Sequence, residues 1–271
     1  MRILEKLFFV FLFFLIVSCN KNNDPIEEQA GRMSLYFTHT IFIPGYVGGI
    51  SPIFFDTMMY QNAAGNPYLI NEIQYFVSDV TLHMHDGSEI LIDEWKDIHY
   101  VDSDLPETWE WHVKDKIPAG YYDSISFTFG ISEEKNQSLM FVNPPESNMF
   151  WPEFLGGGYH YLKLNGKWKD TEEVDRPFNF HMGIGQIYDQ EGTIVGYVQN
   201  YFKVNLNNSS FNVNPNENVA FTIVMHVDKW FEDPHVFDFN YWGGDIMQKQ
   251  EAMQVAKENG TNVFSAHQMI E

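Results

Sequence analysis

The chain is short of cysteine, of positive charge and of long apolar runs. It contains one cysteine, Cys19, in 271 residues, so no disulfide within the chain can support the fold. Lysine and arginine total 16 against 37 aspartates and glutamates, a formal charge of −21. That balance argues against nucleic-acid binding, which needs a basic patch, and against electrostatic adhesion to anionic lipid heads. The acid is spread along the sequence, as expected of a solvated surface. After residue 19 no stretch approaches 18 apolar residues, so no later segment reads as a membrane-spanning helix. The chain also lacks G-x-S-x-G, a P-loop and H-E-x-x-H, and no pair of carboxylates stands at a recognisable catalytic spacing. The motifs give no reason to expect an enzyme.

The N-terminus is informative. Arg2 and Lys6 precede the apolar run Leu7–Val17, which ends in Ser18 and Cys19. A positive region, a short apolar region and a small residue before the cut describe a secretory signal. Ile16-Val17-Ser18-Cys19 resembles a bacterial lipobox, in which the cysteine is acylated and becomes the new N-terminus. The organisation expected is a signal at 1–18, a polar tether at 19–31 and one domain at 32–271. The acyl chain at Cys19 would be the membrane contact. Asn20 rather than aspartate after Cys19 points to an outer-membrane lipoprotein, facing the periplasm or the cell surface.

Aromatic residues make up 17% of the chain, with 24 phenylalanines, far from a disordered composition. Period-two alternation marks strands at Met33–Ile41, Ile73–His85, Glu89–Asp93, Tyr122–Gly130, Tyr159–Leu164, Phe178–Met182, Gly196–Leu206 and Val219–Asp228. Asp86-Gly87 reads as a hairpin turn, and Asn165-Gly166 as the end of a strand. One helix is expected at Ile246–Glu258, capped by Asp245 and stopped by Asn259-Gly260, with Ile246, Met253 and Ala256 on its apolar stripe. Many strands and one C-terminal helix predict a mainly β protein, a single antiparallel β-sandwich.

Among the ten histidines, His39 lies in phase with Leu35, Phe37 and Ile41 and should point inward. His181 closes a strand just before Gly183. His226 lies in the apolar strand Phe221–Val227, opposite Phe221, Ile223 and Met225. His83 and His85 share a face near a turn. Each alone reads as a structural histidine; two or three converging from separate strands would make a metal centre.

Several segments together carry a family likeness: Asn71–Asp79 (NEIQYFVSD), Tyr100-Val-Asp102, Ile125–Asn136 (ISFTFGISEEKN), Met149–Gly166 (MFWPEFLGGGYHYLKLNG), Phe178–Gly183 (FNFHMG) and the closing helix with Asn259–Phe264. The chain resembles the MbnP-like copper-binding domain, named after a protein encoded beside the copper chelator methanobactin. The resemblance implies an extracytoplasmic β-sandwich that binds Cu(I) for acquisition or storage. His39, His181 and His226 would be the ligands, beside a tryptophan oxidised to kynurenine, either Trp151 or Trp230. It also implies a partner of the dihaem peroxidase type. Where many relatives carry a cysteine after the His-x-Gly, this chain reads Ile184-Gly-Gln-Ile, which leaves no cysteine ligand. The competing reading is a non-metal module that recognises a glycan or a partner protein.

Overall fold

A computed structural model describes residues 30–269. The signal, Cys19 and the tether up to residue 29 lie outside the described residues. In chain order the strands are β1 (Ala30–Phe42), β2 (Ile50–Pro52), β3 (Tyr60–Gln61), β4 (Pro67–Met84), β5 (Glu89–Leu91) and β6 (Ile98–Asp102). Next come β7 (Glu110–Pro118), β8 (Gly120–Phe129), β9 (Leu162–Lys169), β10 (Asp175–Met182) and the hairpin β11 (Gly185–Tyr188) and β12 (Ile194–Val198). The last are β13 (Phe202–Leu206), β14 (Phe211–Val213), β15 (Asn218–His226) and β16 (Phe264–Gln268). The helices are α1 (Phe239–Trp242) and α2 (Gln250–Gly260).

Two sheets face each other, as the alternation predicts. The smaller runs β16-β15-β1-β2, with β7 also on β1; the larger runs β10-β9-β4-β8-β13, with short strands on β4 and β8. Among the described residues the ladders are antiparallel except one: β1 and β15 pair in parallel, in register from Arg32–Asn218 to Thr40–His226. That is a departure from an all-antiparallel sandwich. The whole of the larger sheet lies between those two strands in sequence, so their connection is long enough for parallel pairing.

The eighteen-residue β4 organises the molecule because both its faces are covered. Tyr75 and Phe76 are neighbours on it, point to opposite sides, and are both fully buried. Tyr75 meets Phe37 of β1 and Phe264 of β16 between the sheets. Phe76 meets Tyr100, Phe141 and Tyr159 on the far side, where the long β8–β9 connection forms a third layer.

Three expectations shift in detail. β1 runs over Ala30–Phe42, so the first strand is longer at both ends than the expected Met33–Ile41. The long helix starts at Gln250 rather than Ile246, because Asp245 accepts from Asn179 Nδ2 (2.6 Å) and bridges to β10 instead of capping the helix. Its stripe Ile246, Met253 and Ala256 is buried as read. Asn165-Gly166 does not end a strand but lies inside β9; a Cβ on Gly166 would stand 2.1 Å from the Leu69 carbonyl oxygen, so the pair of strands needs glycine there.

Candidate metal centre

β10 alternates cleanly. Phe178, Phe180 and Met182 pair with Gly166, Leu164 and Leu162 and face the smaller sheet. His181 pairs with Lys163, and Lys163 pairs with Gln74 of β4, so His181 stands on the opposite face, under the β8–β9 connection. His160 comes to it from that connection. Its backbone N–H donates to the Met149 carbonyl (2.7 Å) and its Nδ1 meets the same oxygen at 2.9 Å. The His160 and His181 rings are 5.1 Å apart and nearly perpendicular. The Trp151 indole lies 4.7 Å from the His160 ring and is fully buried, with Nε1 donating to the Leu155 carbonyl. Gly183 makes room for that indole, since a Cβ there would stand 2.6 Å from it. The Met149–Gly166 and Phe178–Gly183 segments therefore meet at one place.

Both imidazoles are held neutral. Burial, with the Lys163 charge second, lowers the His181 pKa to about 4. Burial, followed by the charges of His181 and Lys163, keeps His160 well below the usual histidine range. Each ring anchors one nitrogen and leaves a lone pair on the other. In His160 the carbonyl can only accept, so Nδ1 carries the proton and Nε2 is bare. In His181 Nε2 is bound to Asn165 Oδ1 at 2.7 Å, and Nδ1 is buried with no hydrogen-bond partner. Two imidazoles sharing an ion through Nε2 or Nδ1 at ~2.0 Å have ring centres within roughly 6 Å of each other, so the separation fits a shared ion. The unpartnered Nδ1 is the atom such an ion would satisfy.

The other histidines expected to join His181 are placed elsewhere. His39 does point inward, but between the sheets, edge-on to Tyr75 at 5.7 Å, and so across β4 from His181. Its Nε2 and the Tyr75 hydroxyl are both buried without partners, and burial lowers its pKa to about 4. His226 has neither nitrogen free: Nδ1 is bonded to Thr40 Oγ1 (3.0 Å) and Nε2 to Ser265 Oγ (2.8 Å). Its ladder neighbour Met225 pairs with His39, so His226 faces away from the space between the sheets. A single centre built from His39, His181 and His226 does not form. Trp230 packs on Phe129, Phe180 and Phe202 on the inter-sheet side, its Nε1 also buried and unpartnered. Trp151, not Trp230, stands beside the histidine pair. The sequence reading missed His160; the signal for it was its place in Gly-Tyr-His-Tyr, within the segment that also supplies Trp151.

Two further groupings carry less. Glu89, His83 and Ser126 form a hydrogen-bonded row, 3.0 Å and 2.7 Å. Ser126 is buried in mid-strand with ladders on both sides, which offers no opening for an acyl group and no free N–H pair for an oxyanion. His85 turns away to Asp123, so the His83–His85 pair does not chelate. Oxygen atoms of Glu72, Asp102 and Asp104 lie within 4.8 Å of one another, a set suited to hard cations rather than to Cu(I).

The MbnP family profile matches residues 30–249. Among solved structures, MbnP from Methylosinus trichosporium superposes with a TM-score of 0.55 at 13% identity, covering 88% of this chain and 99% of that one. Comparison with curated proteins finds no match.

Proposed function

The chain belongs to the MbnP family, and we propose that it is a Cu(I)-binding protein of the cell envelope whose ligands are His160 and His181, beside Trp151. The supporting observation is the buried, unpartnered Nδ1 of His181 next to a second neutral imidazole. Neutral imidazoles are borderline donors that suit copper, and two of them in a nearly dry site favour the low-coordinate monovalent ion. Trp151, whose indole packs against His160, would complete the site, as indole or as kynurenine. In this reading the protein turns over no substrate: it holds copper and releases it, for acquisition or storage. The acyl chain at Cys19 would keep it at the outer membrane, and a dihaem peroxidase-type partner would supply the oxidant for Trp151.

Competition of the purified protein against a chromophoric Cu(I) chelator tests this. His160→Ala and His181→Ala should each lower affinity at least 100-fold, while His226→Ala should leave it unchanged. Unchanged affinity in a His160→Ala/His181→Ala double variant would reject the proposal. One feature favours the non-metal reading: a cleft of about 420 Å³ beside β16, lined by Asn207, Asn208, Asn262, Asp233 and His267. Its amide-rich wall suits neutral polyhydroxyl ligands, and glycan-array binding that survives removal of copper would support it.

A further inference from the structure

We propose that Glu72 decides which nitrogen of His181 is free, acting through Asn165. The inference rests on the copper reading only for what that free nitrogen holds.

A carboxylate can only accept hydrogen bonds. Glu72 Oε2 accepts from Asn165 Nδ2 at 2.8 Å, and Glu72 Oε1 accepts from Gln74 Nε2 at 2.8 Å. With its NH2 turned to Glu72, Asn165 presents Oδ1 to His181 Nε2 at 2.7 Å. An amide oxygen only accepts, so the hydrogen must be on Nε2. A neutral imidazole has one N–H, and Nδ1 is therefore left with its lone pair. The far end is fixed in the same sense. Gln74 Nε2 also donates to Asp102 Oδ2 (3.0 Å), which accepts from the Tyr100 hydroxyl (2.7 Å), and Asp102 Oδ1 accepts from the Asp104 N–H (2.9 Å). Two acceptor-only carboxylates thus set the direction of every bond, and the row cannot reverse without changing a residue.

The relay makes a specific prediction. In Glu72→Gln the new amide can donate to Asn165; Asn165 then turns over, its NH2 faces His181 Nε2, and the imidazole hydrogen moves to Nδ1. Adding Asn165→Asp restores the pattern. The new amide donates to the new carboxylate and still accepts from Gln74, while the carboxylate accepts from His181 Nε2–H. Charge is unchanged by the exchange.

Long-range 1H–15N correlation on the metal-free protein with 15N-labelled histidine reads the tautomer directly. His181 should be Nε2–H in the wild type, Nδ1–H in Glu72→Gln, and Nε2–H again in the double exchange. Cu(I) affinity should fall about 10–100-fold in Glu72→Gln and recover in the double exchange, which a merely structural role for Glu72 would not produce. An Nδ1–H wild type, or a Glu72→Gln spectrum that still shows only Nε2–H, overturns the relay. Should Glu72→Gln fail to fold, Asn165→Ala decides: mixed tautomers support the relay, and a pure Nε2–H form overturns it. Predicted tautomers in a wild type that holds no Cu(I) would sink the copper reading and leave the relay standing.

Discussion

Leaving a buried polar atom unpaired costs about 1–3 kcal/mol, and the protein leaves an imidazole nitrogen without a hydrogen-bond partner on each side of its larger sheet: Nε2 of His39 and Nδ1 of His181. The two differ in surroundings. His39 faces Tyr75 and no second imidazole, so His39→Phe should be neutral or stabilising in urea unfolding and leave Cu(I) affinity unchanged. His181 faces His160, and its depressed pKa has a consequence for binding. Metal and proton compete for the same lone pair, so affinity should hold as pH falls and drop only as pH passes through about 4. Two histidines with ordinary pKa values near 6.5 would instead lose about 10⁴-fold between pH 7.5 and 4.5. A competition titration at those two pH values, finding less than a threefold change, is the expected result.

At the scale of elements, the centre depends on how tightly β9, β10 and the β8–β9 connection approach. Gly183→Ala would press a methyl group into the Trp151 indole, which packs against His160, so Cu(I) affinity should fall along with stability. Gly166→Ala clashes with backbone instead, the Leu69 carbonyl, which has no side-chain freedom to yield; a loss of about 1–3 kcal/mol or more in chemical denaturation is expected. Period two placed His39 inward and His226 opposite Met225 correctly, because β1 and β15 each have one buried side to choose. The same rule could not place His181. β4 buries Tyr75 and Phe76 on opposite faces, so "inside" has two meanings in the larger sheet, and His39 and His181 took different ones. Asn165-Gly166 was read as punctuation for a related reason. Asn-Gly favours turns locally, but here the glycine is required by close approach of β4 and the asparagine by His181. His160 falls inside the strand expected at Tyr159–Leu164, but β9 begins only at Leu162, so His160 stands before the ladder and strand phase does not place it.

For the molecule as a whole, burial lowers the pKa values of five histidines: His39, His99, His160, His181 and the half-buried His226. The unfolded chain binds protons at these sites below about pH 6.5, and the native chain does so only at lower pH. Unfolding therefore takes up protons as pH falls below about 6.5, and stability falls with it through the window between the unfolded and the native pKa values. Urea midpoints across the window should show it, with His39→Phe removing about one proton from the slope. Above pH 7 these groups contribute no dependence. The broad architecture was legible because its causes are local: alternation, turn residues and aromatic density. The third layer over β4 was not, because a long connection without periodicity carries no mark of the face it covers.

The central claim is that copper sits between His160 and His181 on the outer face of the larger sheet. Anomalous diffraction at the copper edge, from crystals of the protein loaded with one equivalent of Cu(I) under anaerobic conditions, tests it most directly. The account predicts a single strong peak bonded to His181 Nδ1 and His160 Nε2, next to Trp151. A peak at His39 between the sheets, or at the Glu72–Asp102–Asp104 carboxylates, with none at the His160–His181 pair, would contradict it.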